Sequence, residues 1–372
     1  VKHLYVHVPF CPTICPYCDF HVVERRGTLV QSYLDELERD AAKLALEHPT
    51  SGLETVYIGG GTPSFLRDAE IQHLVQTIRR HFGWARTEAT LEVNPGTLSA
   101  ERAAHWRALG FTRASVGVQS TQDSVLKFLG RTHDAAQGLR ALETLLTAGF
   151  EVSADLITAV PGQDLERDLA TIATSGVNHV SCYTLTIEPG TPFHRQGVQV
   201  NEDDEARALE RAEIVLESHG LVRYEVSNHA RPGFESQHNT AYWQNQFFYG
   251  LGAGAAGHYP VASLEPDPSA VIAVRRTNPH LHQWLRGERG EVEPVTREDF
   301  ITDALFNGLR LRRGIDVTDL SHRAGLDACA HFAPAFARCT DLGWLEWDGD
   351  TVRATRAGTW VLNRVVAAFM NG

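Results

Sequence analysis

Cys11, Cys15 and Cys18 stand in a C-x3-C-x2-C spacing within residues 5–20. Cys11 precedes Pro12 and Cys15 precedes Pro16, and a residue before proline is pushed out of the helical region. The spacing therefore predicts a loop, and a loop can turn three thiolates inward on one centre. Three sulfurs are one short of the four that ordinarily hold an iron–sulfur cluster. A cluster held by three leaves one iron open to another ligand, much as a catalytic zinc keeps an open position. The same residues also fit a zinc site with His7 or His21 as fourth ligand, or three free thiols. Cys182, Cys329 and Cys339 are scattered, so the six cysteines do not form a disulfide framework.

A second candidate is Gly59-Gly60-Gly61, which ends a strand-like run and is followed by Thr62. It lacks the Gly-Lys-Ser/Thr ending of a phosphate loop and the G-x-G-x-x-G spacing of a dinucleotide fold. What remains is a tight turn, or a place where backbone comes close to a ligand. Glu92, Gln119, Asp155 and Tyr183 likewise sit where apolar runs end. Each alone reads as a helix cap or turn residue. In a parallel barrel, however, all strand ends share the functional face.

The elements that would position these residues follow from periodicity. Strands are expected at 4–8, 55–58, 90–93, 113–118, 152–157 and 179–185. Helices are expected at 30–44, 68–82, 99–109, 123–129, 134–148, 165–174 and 204–219. Short apolar strands alternating with amphipathic helices give an α/β fold with a parallel sheet, and six units are too few for a full eight-unit barrel. Residues 260–294, rich in charge and carrying Pro260, Pro266, Pro268 and Pro279, read as a linker or irregular cover. Residues 295–372 change pattern: a helix near 300–311, a hairpin around Asp348-Gly349 and a helix near 356–369. They suggest a small winged-helix-like domain. The expected division is thus 1–259, 260–294 and 295–372.

The net charge of −12 argues against a general nucleic-acid binder. No basic stretch followed by an apolar run and cleavage site opens the sequence, and no segment is apolar enough to span a membrane. The expectation is a soluble protein of a reducing, cytoplasmic compartment.

The cysteine spacing after a short strand, with Tyr17 just before Cys18, resembles the radical S-adenosylmethionine superfamily. That resemblance implies a [4Fe-4S] cluster on Cys11, Cys15 and Cys18. The open iron would take the amino and carboxylate groups of S-adenosylmethionine. It also implies a partial (β/α)6 barrel and a glycine-rich strand end holding the ligand's amino group. Tyr-Val-His-Val-Pro-Phe-Cys, Gly-Gly-Gly-Thr-Pro, Leu-Glu-Val-Asn-Pro, Gly-Val-Gln-Ser, Gly-Arg-Thr-His and Ala-Asp-Leu-Ile resemble the branch containing oxygen-independent coproporphyrinogen III oxidase. The match runs from residue 2 to about residue 259, more weakly to the end. In that branch the positions matching Tyr5, Gly60, Gly61, Thr62, Glu92, Gln119, Arg131 and Asp155 contact S-adenosylmethionine, and Tyr17 joins this candidate set. Carboxylates at Glu92 or Asp155 can accept from ribose hydroxyls or the amino group, and Arg131 can pair with a carboxylate as a planar fork.

Two departures narrow the resemblance. Phe20 stands where the oxidase has a fourth cysteine. The oxidase's long N-terminal arm over its site is not expected in a sequence starting four residues before Tyr5. The Cys-Asp-Phe ending and His238-Asn239-Thr240-Ala241-Tyr242-Trp243 are similar to the heme chaperones of the HemW type. So are 188–192, 224–228 and 250–254. That family implies heme as cargo, delivery to respiratory or other heme proteins, and an electron donor such as flavodoxin or ferredoxin. His238 is then a candidate axial ligand, with Tyr242 and Trp243 as flat surface and His258 as a rival. Equally, His238 can satisfy a loop backbone, with the aromatics as core. The competing functions are oxidative decarboxylation of coproporphyrinogen III and a zinc-loop binding module.

Overall fold

Alternation of apolar and polar residues builds the barrel strands, because successive side chains of a strand face opposite sides. On one side lie Leu4, Val6 and Val8; Val56 and Ile58; Ala89, Leu91 and Val93; Ala114, Val116 and Val118. Val152, Ala154 and Leu156, then Val180 and Cys182, complete the series, and all are buried in one core. Each fully buried Val, Leu or Ile contributes about 1.5–3 kcal/mol. The facing layer is helical: Leu29–Glu47 packs Val30, Tyr33, Leu34, Leu37, Ala41 and Leu44 inward. Helix starts are fixed locally. Ser99 caps Ala100–Ala108, and Asp134 with Gln137 forms a capping box on Ala135–Thr147.

The protein is described by a computed structural model over residues 1–25, 28–263 and 267–370. The strands His3–Val8, Thr55–Gly60, Glu88–Val93, Arg113–Gln119, Glu151–Thr158 and His179–Thr184 pair in chain order, all parallel. This is the expected six-unit partial barrel. Among the described residues the sheet runs to twelve strands. Phe248–Leu251 joins the open edge parallel to the first strand, and Ala256–Pro260 continues antiparallel. Asn228–Ala230 and Val222–Arg223 close the other edge antiparallel.

The expected irregular cover at 260–294 is corrected here. Val271–Thr277 pairs with Ala256–Pro260 and with Glu291–Thr296, so this segment extends the sheet. Its charges have partners in the fold and are not linker polarity: Arg275 bonds Glu293 across the strands at 2.9 Å, and Arg276 reaches Glu47 at the end of the helix Leu29–Glu47 at 2.9 Å. Pro266 lies outside the described residues. The C-terminal part has its own core around Phe300, Leu320, Phe336 and Val365. The hairpin Leu345–Asp348 and Thr351–Ala354 forms around Asp348-Gly349. Three helices, Val317–Ala324, Ala328–His331 and Ala333–Asp341, were not foreseen, and the expected last helix is two, Arg356–Trp360 and Leu362–Met370. No helix among the described residues is long and apolar enough to cross a membrane.

Candidate functional site

The cysteine loop is pinned at both ends. Phe10–Cys11 pairs in parallel with Val23–Glu24, and the Val23 and Arg25 amides donate to Pro9 O (2.7 Å) and Cys11 O (3.2 Å). Within it the Cys18 amide donates to Cys15 O at 3.1 Å. All three thiols are free, Cys11 buried and the others half-buried. Burial pushes the Cys11 thiol up to about 11, against the hydrogen bond from Thr62 Oγ1 at 3.6 Å. Burial also raises Cys18. Bound iron would remove that penalty, because the thiolate is the metal ligand. Arg131 supplies a cation beside the loop: Nη1 is 3.4 Å from Cys15 Sγ, and Nη2 donates to Gly117 O at 3.1 Å. Among the described residues no three His, Cys, Asp or Glu side chains form a group that could hold a single metal ion. Cys11, Cys15 and Cys18 are free thiols on one loop and one cavity wall, the donor set that would hold an iron–sulfur cluster with one ligand short of four. His7 is not a free fourth ligand. Its Nε2 donates to His21 O (3.0 Å) and its Nδ1 accepts from Tyr5 OH (2.9 Å).

The glycine run lies against this loop. The Gly61 amide donates to Val8 O (2.8 Å) and the Thr62 amide to Phe10 O (2.9 Å). Gly60 has φ +111°, and a Cβ there would meet the His7 ring at 2.7 Å, so only glycine fits. The Gly60 amide and Tyr57 OH both donate to Glu92, each at 2.9 Å. Burial, with Asp155 nearby, still raises the Glu92 carboxyl to about 7, against those two hydrogen bonds. Asp155 is raised too, by burial, although Ser115 (2.8 Å) and Ser153 (3.3 Å) donate to it. Gln119 holds a left-handed φ of +66°, a strained state for a non-glycine residue.

These groups line one cavity of about 510 Å³. Cys11, Cys15, Tyr17, Cys18, Gly60, Gly61, Thr62, Glu92, Gln119, Arg131, Asp155 and Tyr183 all contribute to it. Of the candidates for S-adenosylmethionine, Tyr5 alone is off the wall; its hydroxyl supports His7 beneath Gly60. Sequence reasoning missed the polar lining below: Thr90, Arg113, Ser115, Ser153, His179, Ser181, Ser236 and Asn239. Part of the signal was present: Thr90, Arg113, Ser115, Ser153, His179 and Ser181 alternate with buried apolar residues on their strands, whereas Ser236 and Asn239 come from the helix Gln237–Trp243 and its cap.

The structure places His238, Tyr242 and Trp243 on one short helix, Gln237–Trp243. Its start is tied to Glu88 at the base of the third strand. Ser236 Oγ (3.2 Å) and the Gln237 (2.9 Å) and His238 (3.0 Å) amides all donate to that carboxylate. The helix thus closes the barrel at the strands' amino ends, away from the cysteines. His238 is 1% exposed. Its Nδ1 bonds Thr55 Oγ1 (2.6 Å), its Nε2 bonds Tyr242 OH (2.9 Å), and its ring stacks on Tyr57. Burial, then His3 nearby, lowers it to about 3. Neither nitrogen is free for iron. Tyr242 packs on Phe248, and the Arg310 guanidinium lies over Trp243. The rival His258 is also buried, among Phe247 and Phe300.

Comparison with known proteins agrees with this geometry. Residues 5–174 match the family described as the radical SAM superfamily, and residues 295–361 match the HemN C-terminal domain. The Heme chaperone HemW of Bacillus subtilis is 31% identical, covering 100% of this chain and 99% of the relative. That of Escherichia coli K12 is 36% identical, covering 99% and 97%. Coproporphyrinogen III oxidase (HemN) from Escherichia coli, described as a radical SAM enzyme, superposes with a TM-score of 0.82 at 21% identity. The superposition covers 99% of this chain and 90% of that one, and is a likeness of fold.

Proposed function

The chain belongs to the HemW heme chaperone family of the radical SAM superfamily, and on that premise we propose that it binds a [4Fe-4S] cluster, S-adenosylmethionine and heme, and delivers heme to respiratory or other heme proteins. The observation that carries this is the convergence on one cavity of three free cysteines, a glycine turn, the half-buried carboxylates of Glu92 and Asp155, and Arg131. Cys11, Cys15 and Cys18 would hold the cluster. Glu92 and Asp155 would accept from the ligand's amino group and ribose, Gly60, Gly61 and Thr62 would border its methionine part, and Gln119, Arg131 and Tyr17 would close round it. Tyr5 would act from behind, through His7. The chemistry such a pair supplies, when bound, is one-electron reduction of a sulfonium, fed by a donor such as flavodoxin or ferredoxin. The chain's own part is to hold both groups out of bulk water and keep their charges matched. The proposed compartment is the cytoplasm.

Oxidative decarboxylation of coproporphyrinogen III is the second reading. Phe20 stands against it, in the position of the oxidase's fourth cysteine. Anaerobic reconstitution tests the first reading. It predicts about four irons and four sulfides per chain, saturable S-adenosylmethionine binding that needs the cluster, and a saturable heme spectrum. A chain that takes up zinc without labile sulfide would overturn it.

A further inference from the structure

A heme iron needs an imidazole nitrogen open to solvent and a flat apolar wall beside it. The buried candidates fail the first condition. His238 has both nitrogens engaged, and His258 is enclosed by Phe247 and Phe300. The cluster loop meets both conditions on its outer side. Phe20 is 65% exposed at the cavity mouth. The next residue, His21, is exposed, and its ring stands edge-on to that of His280, with centroids 3.9 Å apart and planes at 87°. Among the described residues neither ring has a hydrogen-bond partner.

The pair is built by the fold. His21 O accepts from the buried His7 ring at 3.0 Å, and the Val22 amide donates to Phe20 O at 2.8 Å, so this backbone is fixed to the cluster loop. His280 arrives from the opposite side, where the Gly254 amide bonds Pro279 O at 2.9 Å. Gly254 has φ +74°, and a Cβ on it would stand 3.0 Å from His21 Cβ and Cδ2. A side chain there would push His21 out of place. The two imidazoles thus sit together at the strands' carboxyl ends, outside the wall that faces S-adenosylmethionine. Partial desolvation at its inner edge, then the neighbouring His280, lowers the pKa of His21, which favours the neutral ring that binds metal.

Resting on the heme-chaperone reading, we propose that His21 is the axial ligand of the heme, that His280 holds its ring in orientation, and that the macrocycle lies on Phe20. Ligating histidines are commonly oriented by a second group, and His280 takes that part. The cargo iron then sits on the loop that carries the cluster cysteines, and the helix Gln237–Trp243 serves as the barrel floor.

Ferric heme titrated into the cluster-loaded chain tests this. His21→Ala should bind heme at least about tenfold more weakly, with the Soret band of a heme lacking protein imidazole, and free imidazole should restore the wild-type band. Cluster content and S-adenosylmethionine binding in this variant should match wild type, which checks that it folds. His280→Ala should weaken binding less, and His238→Ala, in cluster-loaded protein, should keep the wild-type band. A wild-type Soret band and affinity in His21→Ala would overturn the ligand assignment and leave the chaperone reading standing. A wild-type chain that binds no heme would instead overturn the chaperone reading.

Discussion

Glu92→Gln is expected to abolish a pH dependence of S-adenosylmethionine binding. Glu92 is half-buried on the cavity wall beneath the glycine turn, and loss of hydration there lifts its carboxyl from 4.5 to about 7. A carboxyl raised on folding stabilises the fold fully below its unfolded value, and that contribution is lost as pH climbs through the folded value. The rise corresponds to about 3 kcal/mol, lost from the ligand-free chain between pH 4.5 and about 7. Ligand binding runs the opposite way. An amino group or ribose hydroxyl donates best to an ionised carboxylate, so affinity should grow with pH. With a pKa of about 7, the ionised fraction rises about tenfold between roughly pH 6 and pH 8, and the dissociation constant should fall by a similar factor. Anaerobic calorimetry of the cluster-loaded chain across that range reads the slope. Glu92→Gln supplies the control for the ligand's own titration. A wild-type profile that parallels Glu92→Gln would refute the role of this carboxylate.

Cys15→Ala, prepared anaerobically, should lose the broad visible absorption of the cluster, while Cys182, Cys329 or Cys339 variants keep it; full iron and sulfide in Cys15→Ala would sink the cluster assignment. Gly60→Ala forces a side chain into φ +111° and against the His7 ring at 2.7 Å. It should cost about 1–3 kcal/mol and weaken S-adenosylmethionine binding, and wild-type denaturation and binding would show that the turn tolerates a side chain. His238→Ala leaves a hole, unpairs the Tyr242 hydroxyl and leaves Thr55 Oγ1 with His3 Nδ1 (2.9 Å) as its remaining side-chain partner. Urea denaturation should show a loss of about 2–5 kcal/mol; an unchanged midpoint would contradict its place in the barrel floor.

The six parallel strands were legible because their period-two alternation is unbroken and helices separate them. The same alternation carried the cavity's polar lining. It went unread because a Thr90 or Ser115 within a strand looks like ordinary strand composition until the sheet curls and gathers such residues on one side. The strand Val271–Thr277 was hidden by prolines on both flanks and by charges whose partners, Glu293, Asp303 and Glu47, lie on another strand and on two helices. The surroundings of His238 were hard to read for a different reason. Its neighbours in sequence suggested a ligand, whereas its partners Thr55 and Glu88 come from the far end of the chain. Nε2 is taken by Tyr242 within the same motif, but that Nδ1 is taken by Thr55 follows only from pairing distant in sequence.

Chaperone and oxidase are separated most directly by one anaerobic experiment on the cluster-loaded chain. It is incubated with S-adenosylmethionine and a reductant. One arm contains coproporphyrinogen III; in the other the chain is preloaded with heme and mixed with an apo heme protein. The account predicts heme appearing in the acceptor and no decarboxylated porphyrin. Decarboxylated product over several turnovers, with no heme transferred, would contradict it.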